Sequence, residues 1–335
     1  MNVRFSSSDR PGKISIGIAA LAASGLLLTA CSPIQSGGGS DGSAGGTTTI
    51  TIATGGTGGV YYPFGGGIAT MIRNDVEGHD ATVQETNASV DNMLLVQNGS
   101  ADLAFGVGDV VSDAIEGAGS FEGNPADICS IGNLYNNFMH LVTTNGTGLG
   151  SVEEMRGKKI SVGAPGSATE IGAVRILAAA GIDAATDIDR RQLGAAETVQ
   201  ALRDGTIDAG FWDGGLPTGA IIDLASTGEM LLVPIGEYAD DLVTEYGEYY
   251  AERDVPANTY EGQTEPVSVI SSPNILVASV EMDEGLQEDI TAAIFDNKEA
   301  LIQVQPAAEE LDPATAGDVP FINTCPGSQA YYDRA

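Results

Sequence analysis

The sequence is poor in positive charge, histidine, aromatic residues and cysteine. Only 14 of its 335 residues are Lys or Arg, against 46 Asp or Glu, so the formal net charge is −32. This balance excludes a nucleic-acid-binding protein, because neutralising phosphates requires clustered basic side chains. It also argues against docking on an anionic lipid surface through a polybasic patch. With 2 His and 3 Cys there is little material for a metal site, and we expect no cofactor.

Hydrophobic residues and glycine are plentiful. Hydrophobic side chains make up 42% of the chain, which is enough for a sizeable core and argues against disorder throughout. The 45 glycines indicate many turns and close backbone approaches. The length suits one large domain or two medium ones.

The N-terminus has the layout of an export signal. Basic residues within the first thirteen positions precede an apolar run over residues 14–30. The run ends in Leu28-Thr29-Ala30-Cys31, which resembles a bacterial lipobox. A single transmembrane helix is the alternative, but the run is short for that and contains glycine. We therefore predict a signal peptide over residues 1–30, lipidation of Cys31, and an extracytoplasmic protein anchored to the outer face of the cell membrane.

Residues 31–48 are dominated by Gly, Ser and Thr and predict a flexible tether between the lipid and a folded body. Export places Cys129 and Cys325 in an oxidising compartment. There they either form one disulfide or remain two separate buried thiols.

From residue 49 onward, β-rich runs alternate with helical patterns, which is the signature of an α/β architecture. We predict two α/β lobes joined by a hinge, with a ligand cleft between them. One lobe comprises residues 49–142 and 268–335, and the other comprises residues 143–267. The later segments are predicted as a strand over 139–143, a helix over 239–253, strands over 267–270 and 275–279, and one helix over 283–304.

Two glycine-rich segments, residues 54–65 and 163–170, each lie between a strand and a helix. Their backbone N–H groups, together with the partial positive charge of the helix N-terminus, suit a carboxylate or phosphate. Neither segment is a nucleotide motif, since there is no G-x-x-x-x-G-K-[ST] and Tyr61 breaks G-x-G-x-x-G. The predicted ligand-binding residues in these segments are Gly55, Gly56, Thr57, Gly58, Gly59, Gly166, Ser167, Ala168 and Thr169.

Further candidate ligand contacts are Tyr62, Ser89, Asn92, Tyr135 and Trp212. Adjacent residues at a helix start do not both face one cleft easily, so only one of Tyr61 and Tyr62 is expected to contact the ligand. Tyr62 is preferred. Ser89 is alternatively an N-cap. Tyr135 either closes over the ligand or supports the hinge. Trp212, which with Asp213 ends a strand facing the cleft, is either an aromatic wall or a core residue.

The few remaining basic and imidazole side chains have simpler interpretations. Arg175 lies more than one helical turn beyond Thr169, so an ion pair with nearby acids is favoured over a ligand contact. His79 and His140 have no suitably spaced metal-ligand partners and are interpreted as surface and core residues.

Six segments resemble the TAXI family, the receptors of tripartite TRAP transporters: residues 53–67, Thr86-Asn-Ala-Ser-Val-Asp-Asn92, residues 163–170, Asp208-Ala-Gly-Phe-Trp-Asp213, Asn258-Thr-Tyr-Glu-Gly262 and Cys325-Pro-Gly-Ser-Gln-Ala-Tyr-Tyr332. They occur in family order over essentially the whole mature body. The resemblance implies a type II periplasmic-binding-protein fold closing over a small organic anion, such as a dicarboxylate, a 2-oxoacid or glutamate. It also implies TRAP membrane subunits as partners.

The sequence departs from the family in two segments. Cys325 stands where members usually carry the His of His-Pro-Gly-Ala, which supports a lineage-specific disulfide to Cys129. Ala168 replaces a common Gly, so one wall of the pocket is expected to be narrower.

Two other function classes were weighed. An exported hydrolase with Ser167 as nucleophile requires a base within hydrogen-bond reach, and the histidines are weak candidates. A structural surface lipoprotein would show internal repeats, and the sequence has none. We therefore expect a receptor and no enzymatic activity.

Overall fold

The computed structural model describes residues 47–335. The predicted signal peptide, the lipidation site at Cys31 and nearly all of the tether lie outside the described residues. Within the described part of the chain, no helix combines the length and the apolar character needed to cross a membrane.

Strands and helices alternate along the described residues. The strands are β1 (Thr48–Ala53), β2 (His79–Gln84), β3 (Leu103–Val107), β4 (Ile128–Thr144), β5 (Lys159–Ser161), β6 (Asp189–Arg191), β7 (Ala209–Gly214), β8 (Met230–Leu232), β9 (Ala251–Val255) and β10 (Val267–Ser279). The helices are α1 (Tyr61–Asp75), α2 (Ser89–Gln97), α3 (Gly108–Glu116), α4 (Ala168–Ala179), α5 (Ala195–Arg203), α6 (Gly219–Ala225), α7 (Ala239–Tyr246), α8 (Glu284–Phe295), α9 (Lys298–Val304) and α10 (Pro326–Tyr332).

The strands form one sheet with the order β2-β1-β3-β10-β4-β7-β5-β6, to which β8 adds beside β4 and β9 beside β10. The neighbours β1, β2 and β3 are parallel, as are β5, β6 and β7. Two long strands, β4 and β10, run antiparallel to each other through the middle and join these parallel units. Every residue of β3 is buried, as expected for a strand covered on both faces.

Two hydrophobic cores flank the cleft described below. The first core contains Tyr135 of β4 and Ile275 of β10, whereas the second contains Phe138 of β4 and Ile270 of β10. Both long strands therefore pass from one core to the other within their own length. The lobe boundaries given above, at the ends of these strands, stay a prediction. The predicted fold class, two α/β lobes of the type II periplasmic-binding-protein kind, is confirmed.

The two long strands were only partly predicted. The strand predicted over 139–143 begins earlier, at Ile128. Its first part is not recognisable from the sequence, because the polar residues Asn133, Asn136 and Asn137 obscure the apolar pattern. The predicted strands 267–270 and 275–279 are one strand, which continues through Pro273 with register shifts beside it. These corrections matter because the polar residues lie where the chain crosses between the cores.

Two predicted helices are shorter than expected. The helix predicted over 239–253 ends at Tyr246, because Gly247 adopts a φ of +138° that stops the helix. The chain then forms β9, whose exposed acidic residues pair with β10. The helix predicted over 283–304 is divided into α8 and α9 around residues 296–297.

Cys129 and Cys325 form a disulfide, with their Cα atoms 5.0 Å apart. Both residues are buried in the first core. The adjacent backbone reinforces the attachment, since the Cys325 N–H donates to the Ser130 carbonyl oxygen at 2.8 Å. The sequence left open whether these two cysteines are bonded or are separate buried thiols, and in the structure they are bonded. The C-terminal segment is thereby held to β4.

Candidate functional site

A cavity of about 360 Å³ lies between the two cores. It is formed where the carboxyl ends of parallel strands meet the first turns of the following helices, the usual ligand position in open α/β sheets. The lining residues comprise residues 55–61, 85–89, 107, 164–165, 167–169, 192–197 and 212–214.

The loop between β1 and α1 presents backbone donors to this cavity. Its position is fixed at Thr54, whose N–H donates to the Gln84 carbonyl oxygen at 2.9 Å. It is closed by a turn in which the Gly59 N–H donates to the Gly56 carbonyl oxygen at 3.0 Å. The N–H groups of residues 55–58 have no acceptor among residues 47–335. All five predicted loop residues line the cavity.

The first turns of α4 and α5 supply further donors. The N–H groups of Ala168 and Thr169 and those of Ala195 and Ala196 have no acceptor within the described part of the chain, and all four residues line the cavity. Such first-turn N–H groups carry the positive end of the helix dipole. The α5 contribution was missed from sequence. Its signal in the sequence is Gly194, which stands directly before α5 and provides no side-chain cap.

Ser167 and Gly166 differ from the prediction. The Ser167 hydroxyl donates to the Ala164 carbonyl oxygen at 2.7 Å and accepts the Glu170 N–H at 3.2 Å, so Ser167 lines the cavity but acts as the N-cap of α4. Gly166 is not a lining residue, and its N–H donates to Glu170 Oε2 at 2.8 Å. This corrects the proposal of Gly166 as a ligand donor, since a helix side chain already satisfies its N–H.

Tyr61, and not Tyr62, lines the cavity, which corrects the choice made from sequence. The Tyr61 ring stacks on Phe105 with centroids 4.9 Å apart, and its hydroxyl oxygen accepts a hydrogen bond from Asn274 Nδ2 at 2.7 Å. Burial raises the pKa of Tyr61 well above its usual value, so its hydroxyl stays protonated. Ser89 also lines the cavity, with its Oγ 3.4 Å from the Tyr61 hydroxyl oxygen.

Asn92 and Tyr135 lie outside the lining, contrary to expectation. The Asn92 amide donates to the carbonyl oxygens of Thr54 at 2.7 Å and Phe105 at 2.8 Å, so it ties the residue that follows β1 to the middle of β3. Tyr135 is buried in the first core and stacks on Phe64, at the point where β4 leaves that core. Its position fits the hinge alternative.

Trp212 forms a wall of the cavity, and its Nε1 donates to Thr218 Oγ1 at 3.0 Å. The ring lies so close to the β1–α1 loop that a Cβ on Gly59 would be 2.9 Å from it. The aromatic-wall interpretation fits this placement.

The neighbouring Asp213 has a mostly desolvated carboxyl. Asp213 Oδ2 accepts from Asn137 Nδ2 at 3.2 Å, and the Asp213 backbone N–H donates to Thr169 Oγ1 at 3.1 Å. Burial, assisted by the charge of Asp109, raises the pKa of Asp213 to about 8. Ionisable groups with such shifts are enriched at functional sites.

Two backbone hydrogen bonds join the cores across the cavity. The Ala220 N–H donates to the Gly58 carbonyl oxygen at 3.2 Å, and the Val90 N–H donates to the Gly166 carbonyl oxygen at 3.1 Å. Gly58 fits closely against α5, since a Cβ there would be 3.2 Å from the Ala196 Cβ. Both glycine-rich loops thus contact the opposite side of the cleft, as in a closed arrangement.

Arg175 also bridges the two sides and is not a lining residue. Extending from α4, it pairs with Asp109 and Asp113 of α3 at 3.2 Å each. Its Nη1 donates to the Tyr250 hydroxyl oxygen at 2.9 Å. Burial raises the pKa of Asp109, and the positive charge of Arg175 opposes that effect. The ion-pair interpretation of Arg175 is therefore correct.

No Lys, Arg or His of the described residues lines the cavity, whereas Glu85, Glu197 and Asp213 do. His79 is on β2, bonded to the Glu77 carbonyl oxygen. His140 is buried against Tyr260, and burial lowers its pKa to about 4, so its ring is neutral at physiological pH. Both histidines have the structural placements expected of them.

The fold is that of the type II periplasmic binding proteins. The chain belongs to the NMT1-like family, whose profile matches residues 52–334.

Three solved structures illustrate the similarity. A protein of Bordetella bronchiseptica RB50 is 18% identical, with a TM-score of 0.51 over 85% of this chain and 82% of that one. The periplasmic aliphatic sulphonate binding protein SsuA of Escherichia coli is 15% identical, with a TM-score of 0.45 over 85% and 83%. The GluR0 ligand-binding core in complex with L-glutamate is 12% identical, with a TM-score of 0.46 over 78% and 96%.

Proposed function

We propose that this chain is the extracytoplasmic receptor of a TRAP-type (TAXI) secondary transporter. It captures a small carboxylate-bearing solute between its lobes and delivers it to the membrane subunits. The observation that carries the proposal is the convergence of unpaired backbone N–H groups on one cavity, from the β1–α1 loop and from the first turns of α4 and α5.

Backbone donors suit this protein for an electrostatic reason. With a formal net charge of −32, long-range attraction of an anion is unfavourable, so capture depends on donors held at short range. Hydrogen bonds to an ionised group contribute about 1.5–3 kcal/mol each, so a few such bonds are sufficient. The proposed ligand contacts are residues 55–59, Tyr61, Ser89, residues 168–169, residues 195–196 and Trp212.

The TRAP assignment is supported by the six sequence segments that resemble TAXI receptors, and the lipid anchor by the lipobox ending at Cys31. Lipid chains on one cysteine add about 0.8 kcal/mol of membrane affinity per buried CH₂. We expect Cys31→Ser to move the protein from the membrane fraction to the soluble fraction. Unchanged retention in fractionated cells would contradict the anchor.

A thermal-shift screen of dicarboxylates, amino acids and 2-oxoacids tests the receptor function. A ligand at a hundredfold excess over Kd stabilises the native state by about 2.7 kcal/mol. Binding without turnover is expected, because the Ser167 hydroxyl is engaged with Ala164 and Glu170 and does not contact an imidazole. If no solute shifted the unfolding temperature, the receptor proposal would be wrong. If a bound compound were hydrolysed, the hydrolase alternative would replace it.

A further inference from the structure

The cavity is lined by acidic side chains without basic ones. The carboxyl groups are those of Glu85, Glu197 and Asp213, and no basic side chain of the described residues lines the cavity. Glu85 and Glu197 are exposed, whereas Asp213 is deeper and largely desolvated. The nearby cation Arg175 is already paired with Asp109 and Asp113. A dianionic ligand would therefore meet carboxyl groups as well as N–H donors, and no basic side chain of the described residues, in this cavity.

Asp213, which lines the cavity, has unused hydrogen-bonding capacity. One oxygen, Oδ2, accepts from Asn137, and no described residue donates to the other oxygen. Thr169 lies beside it and is only 3% exposed. The Thr169 hydroxyl oxygen accepts the Asp213 N–H, but its own hydrogen has no acceptor within residues 47–335. The buried Thr169 hydroxyl and the half-buried Asp213 carboxyl thus each retain hydrogen-bonding capacity that a ligand can use.

We infer that the ligand is a small zwitterion, whose carboxylate binds the N–H groups at the β1–α1 loop and the starts of α4 and α5, and whose ammonium group binds the Asp213 carboxylate. This inference rests on the proposed receptor function and narrows its ligand class. A 2-amino acid with an uncharged side chain meets both requirements, and a cavity of about 360 Å³ has room for one such molecule.

Proton release follows from this arrangement. Without ligand, Asp213 is about 0.9 protonated at pH 7, given a pKa of about 8. An ammonium group at hydrogen-bond distance favours the ionised carboxylate, so the Asp213 proton passes to the buffer as the ligand binds. A 2-oxoacid or dicarboxylate would instead favour protonated Asp213, and its binding would take up a small fraction of a proton.

Other titratable groups also lie near Asp213. Burial raises the pKa values of Tyr61 and Tyr135 well above neutrality, and that of His140 is lowered to about 4. The remaining charged or titratable groups are Asp109 of α3 paired with Arg175 of α4, Glu85 after β2, and Glu197 of α5.

Matched ligand pairs test the inference. Each uncharged-side-chain L-amino acid is compared with the 2-oxoacid of the same carbon skeleton, because the two differ only in the ammonium group. We expect at least one amino acid to bind at least tenfold more tightly than its 2-oxoacid. Calorimetry in two buffers of different ionisation enthalpy should give release of close to one proton per ligand at pH 7. Equal affinity within every pair, or proton uptake, overturns the inference while leaving the receptor function intact.

The variant Asp213→Asn provides the second readout. It keeps the side-chain shape and should weaken binding of the amino acid at least tenfold and abolish proton release. Asp318→Asn is the control, since Asp318 is exposed and is not a lining residue of the cavity. If Asp213→Asn kept full affinity and proton release, Asp213 would not be the ammonium partner. If only solutes without an ammonium group bound, the inference would be wrong. If no solute of any class bound, the receptor function itself would fail.

Discussion

Substitution of Gly58 tests whether the ligand is held by closure of the cleft. Gly58 reaches across the cavity, where its carbonyl oxygen accepts the Ala220 N–H. A Cβ at this position would lie 3.2 Å from the Ala196 Cβ and 3.6 Å from the Ala220 Cβ. Alanine at position 58 therefore requires the neighbouring atoms to shift by a few tenths of an ångström. The two methyl groups of valine overlap α5 or α6 unless the β1–α1 loop moves away from them.

The strain arises only in the closed arrangement. Overpacking a well-packed contact costs about 1–3 kcal/mol, which corresponds to an affinity loss of about fivefold to about a hundredfold. We expect Gly58→Ala at the lower end of this range and Gly58→Val at the upper end. The free energy of unfolding without ligand should change little, because the loop can move into the cleft opening.

The assay is calorimetry with the ligand found by the thermal-shift screen, combined with small-angle scattering. The radius of gyration of the wild type should decrease on ligand addition, and that of Gly58→Val should not. Gly66→Ala is the matched control, because a Cβ there meets no atom within 4 Å. Wild-type affinity in Gly58→Val would show that the loop does not approach α5 when ligand is bound, and the closure argument would be refuted.

Three further predictions concern individual contacts. Thr169→Val removes a cavity-lining hydroxyl whose hydrogen has no acceptor within residues 47–335 and is available to the ligand carboxylate. Losing a hydrogen bond to that charged group should weaken binding roughly ten- to a hundredfold; near-normal affinity in Thr169→Val together with lost binding in Arg175→Gln would indicate an arginine clamp instead. The double variant Cys129→Ser/Cys325→Ser opens a disulfide that closes a sequence separation of 196, and chemical denaturation should find a loss of about 2–5 kcal/mol; an unchanged midpoint and slope would contradict this. The pKa of Asp213 is raised from 3.8 to about 8 in the native state. The ligand-free protein should therefore lose up to about 5 kcal/mol of stability as pH rises from about 4 to about 8. The stability of Asp213→Asn should exceed that of the wild type by a margin that grows over this pH range, and a constant margin would contradict the pKa shift.

Much of the architecture follows from the sequence. The alternation of β-rich runs with helical patterns correctly indicates the α/β architecture, because local periodicity and flanking glycines suffice for that. Both glycine-rich segments between strand and helix contribute residues to the cavity lining. The export signal leads to the expectation of a Cys129–Cys325 pair, and the disulfide is present.

The local sequence pattern does not predict the strands correctly where the chain passes between the two cores. Asn137 of β4 and Asn274 of β10 interrupt the apolar runs, yet they belong to a buried hydrogen-bonded network with Tyr61 and Asp213. Polar residues of this kind look like breaks in a strand until their partners, which lie far away in sequence, are known. For this reason the prediction from sequence divides β10 into two strands and makes β4 too short.

Tertiary structure alone decided which groups line the cavity. Sequence spacing does not determine which of two adjacent tyrosines faces inward, and packing of Tyr61 on Phe105 settles it. The Gly166 N–H resembled a ligand donor until Glu170 was placed beside it. The sequence by itself determined the fold class and the positions of the donor loops, because these depend on local turns and periodicity. The acidic character of the cavity, with Arg175 directed away to Asp109, depends on contacts between the two sides of the cleft and was decided only by the folded chain.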